Sequence, residues 1–279
     1  MILVKYSKLF SVTFIQILSL CSMILQYKNI PVYYEDIGTG KVVILIHGFL
    51  ENSTMWQGIM PQISLTHRVI CIDLLGHGQT GSIGYIHTME DMAEAVMAVL
   101  NHLEVCDYVV IGHSMGGYVA LALAKMNQEA LRGLCLMNST YRADDDERRD
   151  MRRKANQMVQ TNFKNVVRVS FINLFSAESR ITHKDEMEVA LNHALKTTLQ
   201  GYMAAQEGMM VRADSYEFFR CLTVKKLIIM GSDDPFINGG RILKETEDSD
   251  IICQELPFGH MSHIENKSEI SDIITHFIE

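Results

Sequence analysis

The chain has 279 residues, of which 48% are hydrophobic and 21% are charged. This length suits one large α/β domain with an insertion, and the proportions are those of an ordinary globular protein. The formal net charge of −8 excludes the basic surface on which nucleic-acid binding depends, so we expect no nucleic-acid partner.

Residues 1–22 allow three interpretations. Lys5 and Lys8 precede an apolar run over residues 9–25, an order that is typical of a signal peptide. A retained membrane anchor is less convincing because the run is short and contains polar residues. Alternatively, translation starts at Met23, and a strand over residues 24–27 opens the fold. Membrane association is expected only if residues 1–22 are retained.

The cysteines favour a reducing compartment. There are six, and they show neither CxxC pairing nor the His/Cys spacing of a metal site. Most of them lie in or beside apolar runs, where a buried reduced thiol is the simplest interpretation. We therefore predict no metal and favour a cytoplasmic location, with secretion or anchoring as the alternative if residues 1–22 act as a signal.

The hydrophobic pattern from residue 24 onward alternates between strands and helices. Apolar runs predict strands over residues 30–35, 42–46, 68–73, 108–111, 131–137, 226–230 and 251–256. Helical spacing predicts helices over residues 89–103, directly after residue 114, and over residues 269–277. Such near-continuous apolar strands predict an α/β fold: a mostly parallel twisted sheet with helices on both faces.

The pattern changes between residues 139 and 220, where strand-like runs become scarce and methionines recur. We predict a helical cap inserted between two sheet strands, so that residues 23–138 and 221–279 form the core and residues 139–220 form the cap. The charge run over residues 144–154 is interpreted as a solvated helix start. The methionines are interpreted mainly as core filler.

Residues 109–117 carry the most informative motif. A strand ends on Gly112-His113-Ser114-Met115-Gly116, and a helix follows at once. In this context Gly-x-Ser-x-Gly is typical of a nucleophile elbow, which displays the serine hydroxyl on a strained strand-to-helix turn. A Cβ atom at Gly112 or Gly116 is expected to collide with neighbouring backbone in so tight a turn.

A nucleophilic serine needs a base, and the base needs an acid to orient it. Aspartates 233 and 234 follow the strand over residues 226–230, and His260 follows the strand over residues 251–256. Catalytic groups in open α/β sheets gather at the carboxyl ends of the strands. Two choices stay open from the residues alone: Asp234 or Asp233 as the acid, and His260 or His263 as the base.

These motifs resemble the α/β-hydrolase superfamily, nearest its capped serine esterase, enol-lactonase and haloperoxidase-like group. The resemblance runs from about residue 26 to the C-terminus. Within this range, the segments 47–49 and 73–78 carry it together with the motifs around the serine, the aspartates and the histidine. It implies Ser114 as the nucleophile, Asp234 as the acid and His260 as the base. It also implies that the backbone N–H groups of Phe49 and Met115 form the oxyanion hole.

Other histidines near these motifs are interpreted as structural. His113 precedes the serine, and its side chain is expected to point away from the hydroxyl. His47 is expected to brace the oxyanion loop by hydrogen bonding. Asp73 and His77 are expected to shape a loop.

The resemblance implies a serine hydrolase that cleaves a carboxylic ester of a small apolar substrate through an acyl-enzyme, without a cofactor. Serine at the elbow argues against dehalogenases and epoxide hydrolases, which carry aspartate there. The alternatives are a carbon–carbon bond hydrolase or thioesterase of the same fold, or a small-molecule receptor that keeps the triad but turns over slowly. The cap is expected to decide the substrate.

Overall fold

Eight strands form one sheet in the computed structural model, which describes residues 21–279. The spatial order is β1-β2-β4-β3-β5-β6-β7-β8, with β1 and β2 antiparallel to their neighbours and the remaining pairs parallel. The strands are β1 (Cys21–Tyr27), β2 (Ile30–Ile37), β3 (Val42–Ile46), β4 (Arg68–Ile72), β5 (Tyr108–His113), β6 (Leu131–Met137), β7 (Lys225–Gly231) and β8 (Ile251–Leu256).

Helices connect the parallel strands and fill the segment between β6 and β7. They are α1 (Met60–Ile63), α2 (Met89–His102), α3 (Met115–Met126), α4 (Asp146–Ile172), α5 (Ser179–Thr182), α6 (Lys184–Ala194), α7 (Leu199–Val211), α8 (Tyr216–Cys221), α9 (Gly239–Thr246), α10 (Ser262–Glu265) and α11 (Lys267–Ile278). Short 3-10 helices lie at Ser53–Gly58 and Gln128–Ala130.

The sheet is covered on both faces, as predicted. Side chains alternate along each strand, so in β3 Ile44 and Ile46 pack on one face with α2 and α3. Val43 and Leu45 pack on the other face with α1 and α11. Since both faces are buried, the central strands are apolar at nearly every position, which explains why the sequence marks them so clearly.

The predictions for residues 1–22 fall almost entirely outside the described residues, which begin at residue 21. Strand β1 pairs with β2 through a turn at Lys28 and Asn29, which have φ values of 45° and 65°. Two consecutive residues with positive φ are typical of a type I′ hairpin.

Within residues 21–279, none of the helices has both the length and the apolar character that a membrane span requires. Five cysteines in this part of the chain are free thiols.

Five helices, α4 to α8, lie between β6 and β7. Helices α4, α6 and α7 share a small apolar core with two residues of the loops above the sheet, Leu50 and Met261. We refer to residues 146–211 as the cap helices. Helix α8 packs on the main core through Phe219, and α7 also reaches this core through Ala205 and Met209. The predicted cap segment, 139–220, is therefore joined to the sheet layer by two of its helices.

The interpretation of residues 144–154 as a solvated helix start is only partly right. Asp145 caps α4 by accepting a hydrogen bond from the N–H of Arg148 at 2.8 Å. Asp144, in contrast, is buried and forms ion pairs with Arg152 at 2.6 Å and with Arg212 at 2.8 Å. A carboxylate can be buried when cations and hydrogen bonds compensate its lost hydration. The partner Arg212 is distant in sequence, which is why the pattern could not reveal it.

Candidate active site

Ser114 stands at the junction between β5 and α3. Its φ of 50° and ψ of −116° place it in a region that non-glycine residues rarely adopt. Its N–H donates to the carbonyl oxygen of Met137 in the neighbouring strand at 2.9 Å. This strained turn, held from both sides, is the geometry expected of a nucleophile elbow.

The glycines of the elbow are required by close approach. A Cβ atom on Gly112 would lie 2.2 Å from the carbonyl oxygen of Gly116. A Cβ atom on Gly116 would lie 2.4 Å from the carbonyl oxygen of Ile46. Both distances are far below van der Waals contact, and the neighbouring atoms are backbone, so the predicted collisions are present at both positions.

The structure brings Ser114, His260 and Asp234 into one chain of hydrogen bonds. The Oγ atom of Ser114 lies 2.8 Å from Nε2 of His260. The Nδ1 atom of His260 lies 2.7 Å from Oδ2 of Asp234. Since the carboxylate can only accept, Nδ1 carries the proton, and Nε2 is left as an acceptor for the serine hydroxyl. The imidazole is therefore in the tautomer that a general base requires.

Of the two candidate aspartates, Asp234 faces the site and Asp233 is exposed. Oδ1 of Asp234 accepts hydrogen bonds from the N–H groups of Phe236 at 2.8 Å and Ile237 at 3.1 Å. Burial alone would raise the pKa of Asp234, but His260 and these donors outweigh it and lower the pKa below the usual range. Asp234 is therefore ionised at neutral pH.

Asn138 was missed by the sequence reasoning. It follows β6 directly, and its Nδ2 donates to Oδ2 of Asp234 at 3.0 Å and to the carbonyl oxygen of Gly259 at 3.3 Å. Its Oδ1 accepts from the hydroxyl of Ser262 at 2.6 Å. One buried amide thus links Asp234 to the loop that carries His260. Its place at the carboxyl end of a parallel strand is the signal that could have found it.

His113 and Glu51 form a buried ion pair behind the elbow. Nδ1 of His113 lies 2.7 Å from Oε2 of Glu51, and Nε2 lies 3.0 Å from the carbonyl oxygen of His260. Both partners can only accept, so both ring nitrogens must donate and the imidazole is positively charged. Glu51 also accepts from the N–H of Gly48 at 2.7 Å. His113 is structural, as predicted, and the pair ties the loop after β3 to the loop of His260.

The titration behaviour of this pair follows from burial and contact. Burial alone would raise the pKa of Glu51, but His113 outweighs it and lowers the pKa to about 2. Burial alone would lower the pKa of His113, but the Glu51 carboxylate outweighs it and raises the pKa. His263, the second candidate base, is buried beside the pair at 3.5 Å from Glu51. Burial lowers the pKa of His263 to about 4, so it is neutral.

Glu51, His113 and His263 are the group of potential metal ligands that converges within residues 21–279, with ligand atoms within 4.8 Å of one another. A metal needs a lone pair from each ligand. Both nitrogens of His113 donate protons to acceptors, so His113 has no lone pair to offer while these hydrogen bonds are made. The contacts fit an ion pair better than a metal site.

We expect Glu51→Gln to lower the free energy of unfolding by about 3 kcal/mol near pH 5.5, because it leaves His113 buried without its counter-ion. The pKa of His113 is raised in the folded protein. Its contribution to the free energy of unfolding is therefore present below about pH 6.5 and is lost as the pH rises through the folded pKa. The contribution of Glu51 is present above about 4.5 and is lost as the pH falls towards about 2. The penalty should therefore shrink near pH 9.

Urea denaturation at the two pH values measures this penalty, with Glu188→Gln as the control. Glu188 lies exposed on α6 and loses the same charge. A penalty that is absent, or equal at both pH values, would contradict the ion pair.

The backbone N–H groups of Phe49 and Met115 are unpaired within residues 21–279. Met115 is the first residue of α3, so its N–H has no acceptor inside the helix and lies at the positive end of the helix dipole. The loop that carries Phe49 is braced by His47, whose Nδ1 donates to the carbonyl oxygen of Gly48 at 2.7 Å. Nε2 of His47 accepts from the N–H of Leu74 at 2.9 Å. The predicted bracing role of His47 is confirmed.

A cavity of about 290 Å³ opens above the serine. Its floor contains Ser114, His260 and Phe49, and its roof is formed by cap helices. The lining residues from the cap helices and from the loop after α4 are Arg148, Met151, Arg152, Ala155, Ser170, Leu174, Tyr202, Gln206 and Met209. Two of the methionines thus face the cavity, so core filling does not describe them all.

The model of the alpha/beta hydrolase fold family matches residues 41–267. A pimeloyl-[acyl-carrier protein] methyl ester esterase from Aeromonas hydrophila is 28% identical over 256 residues, which are 88% of this chain and 98% of that protein. The chain covers only 27–42% of the length of the first curated relatives that it matches.

Solved structures agree in fold. A thermophilic esterase from Thermogutta terrifontis superposes with a TM-score of 0.86 and 27% identity, covering 92% of this chain and 97% of that one. An enol-lactonase from Burkholderia xenovorans superposes with a TM-score of 0.84 and 19% identity over 91% of this chain and 99% of that one, a likeness that concerns the fold alone. The match over residues 41–267 covers most of the sequence, and the chain belongs to the alpha/beta hydrolase fold family.

Proposed function

We propose that this chain is a serine hydrolase that cleaves carboxylic esters through an acyl-enzyme. The observation that carries the proposal is the hydrogen-bonded chain from Ser114 through His260 to Asp234, which borders a cavity beneath the cap helices. The similar esterases from Aeromonas and Thermogutta support the reaction class. Neither similarity identifies a substrate for this chain.

Each group has a defined task in this proposal. His260 takes the proton of Ser114 as the hydroxyl attacks the ester carbonyl, and Asp234 stabilises the imidazolium that forms. The unpaired N–H groups of Phe49 and Met115 hold the negative oxygen of the tetrahedral intermediate. His260 then returns the proton to the leaving alcohol and activates the water that hydrolyses the acyl-enzyme.

The cavity limits the acyl group. Its volume of about 290 Å³ lies at the lower end of the range for small-molecule sites. We expect kcat/KM for p-nitrophenyl esters to be highest for short acyl chains and to fall once the chain is longer than the cavity. A series from acetate to dodecanoate measures this, and a rate that still rises at dodecanoate would contradict the volume argument.

The same assay, with the matching thioesters added, separates the alternatives. Many turnovers per enzyme molecule on an oxygen ester favour the esterase, whereas turnover confined to thioesters would indicate a thioesterase. A folded protein that is stabilised by a small ester but releases no product would indicate a receptor. Turnover on none of these substrates would overturn the proposal and leave the carbon–carbon hydrolase to be tested.

A further inference from the structure

Two arginines of α4 contribute to the wall of the cavity. Arg148 and Arg152 are four residues apart, which places them on the same face of the helix, and both line the cavity. Their neighbours Arg149 and Arg153 do not line it, and each pairs with an aspartate one turn earlier in the helix. Of these four arginines, two thus face the cavity and two are neutralised locally.

Arg148 has no carboxylate partner within residues 21–279. Its guanidinium donates to the carbonyl oxygen of Phe236 at 2.8 Å and lies 5.7 Å from the ring centroid of the same residue. That ring lies 5.4 Å from the ring of His260. The ring of Phe236 therefore separates the unneutralised guanidinium of Arg148 from the imidazole of His260, the candidate base. Some N–H donors of this guanidinium remain free to bind a ligand. A planar guanidinium is suited to hold a carboxylate by two hydrogen bonds.

The second arginine adds to the positive charge. Arg152 lies 2.6 Å from Asp144, but this buried carboxylate also pairs with Arg212 at 2.8 Å. One negative charge is thus shared by two positive ones. The guanidinium of Arg212 lies 3.9 Å from the ring centroid of Tyr118, which is part of the cavity wall. The roof therefore has an excess of positive charge even after its ion pair is counted.

The negative groups of the site do not cancel this excess. Glu51 lines the cavity, but it is neutralised by His113 at 2.7 Å. Asp234 keeps its negative charge, but it contacts the far ring nitrogen of His260 and is not among the residues that line the cavity. The cavity thus carries local positive charge in a chain whose formal net charge is −8. Charges in a cleft with low-dielectric walls focus their field on whatever enters it.

We propose that the substrate is an anionic ester: a carboxylate joined to the scissile ester by a short apolar chain, with the carboxylate bound by Arg148 and attracted by the field of Arg152. The proposal rests on the esterase function proposed above and names its substrate class. The apolar chain would lie against Met151, Leu174 and Met209, which line the same cavity.

The test compares matched esters in the wild type and in Arg148→Gln. The anionic probes are monomethyl glutarate, monomethyl adipate and 4-acetoxybutanoate, and the neutral probes are methyl esters of unbranched fatty acids of the same length. The wild type should favour the anions, and the ratio of kcat/KM values should fall by about tenfold to hundredfold in Arg148→Gln, as for a lost charged hydrogen bond. Arg148→Lys should keep part of the preference.

Arg153→Gln is the matched control because it removes the same charge from the same helix outside the cavity. Its ratio should stay within about twofold of the wild-type ratio, since exposed charges are screened by salt. Substitution of Arg152 is less informative, because it would leave the buried Asp144 with one partner fewer.

The outcomes separate the two proposals. Equal turnover of anionic and neutral esters by the wild type, or an unchanged ratio in Arg148→Gln, would overturn the anionic substrate and leave the esterase standing. Failure to hydrolyse any ester of either series would overturn the proposed function, and the substrate class with it.

Discussion

Ser114→Ala is expected to lower kcat for ester hydrolysis by about 10⁴-fold to 10⁶-fold, the range seen when a nucleophile that works with a base is removed. The variant lacks the only hydroxyl that is hydrogen-bonded to Nε2 of His260 within residues 21–279. Ser139 is the nearest replacement by sequence, but its hydroxyl donates to the carbonyl oxygen of residue 114. The hydroxyl of Ser139 is therefore engaged and is not placed to replace that of Ser114.

The fold should survive this substitution. The Oγ atom of Ser114 has one hydrogen-bond partner in the described part of the chain, His260, and the strained backbone is held by main-chain contacts that alanine keeps. Steady-state hydrolysis of p-nitrophenyl butanoate measures the loss, and circular dichroism checks the fold. The control is Ser232→Ala, because Ser232 is exposed and directly follows β7. Activity above about one per cent of wild type would contradict the assigned nucleophile.

Asp234→Asn is expected to lower kcat by about 10⁴-fold while the site keeps its shape. An asparagine can donate a hydrogen bond to Nδ1 of His260, which moves the ring proton to Nε2. The base would then hold a proton at the atom that must accept the proton of Ser114. The effect should thus appear in kcat for every ester, since it acts on the chemical step.

Asp233→Asn is the matched control for the acid. The two aspartates are adjacent and carry the same charge, but only Asp234 is buried and bonded to the imidazole. The control should keep activity within about threefold, because an exposed charge contributes little to a neighbouring site. Comparable losses in both variants would show that a general electrostatic effect, and not the tautomer of His260, is responsible.

The main sheet and the positions of the candidate triad were predictable because the local hydrophobic pattern of the sequence indicates the strands and where they end. Strands β3, β6 and β8 end at the residues that the apolar runs indicate. In β3 and β6 both faces are buried and nearly every position is constrained, whereas β8 lies at the edge of the sheet and is largely unburied. Ser114, Asp234 and His260 each follow such a strand, and parallel strands bring their carboxyl ends to one edge. Their positions follow from the sequence, and their catalytic roles stay predictions.

The supporting residues were not predictable in the same way. Glu51 and Asn138 act through partners that are distant in sequence, and a carboxylate or an amide in a loop has no periodic signal. The same limit applies to Asp144, which was placed in a solvated charge run but is buried between two arginines. Burial of a polar residue depends on compensation by residues elsewhere in the fold. That compensation appears only when the chain is folded.

The cap is the region in which pattern and structure diverge most. Its helical character followed from the absence of strand-like runs, but α4 contains a break at Asn162, with φ of −145° and ψ of 49°. Which of its arginines face the cavity depends on how the helix packs on α7, and a charge run of mixed sign hides that orientation. The residues that we propose to bind the substrate carboxylate therefore become apparent only in the folded cap.

The most direct test of the account is covalent labelling of the nucleophile. Diethyl p-nitrophenyl phosphate phosphorylates an activated serine and releases one p-nitrophenol per site, and peptide mass spectrometry then locates the adduct. We predict one adduct per chain, on the peptide that contains Ser114, with a parallel loss of ester hydrolysis and no adduct in Ser114→Ala. Full ester hydrolysis by protein that carries this adduct, or an adduct at another residue whose labelling abolishes activity, would contradict the account.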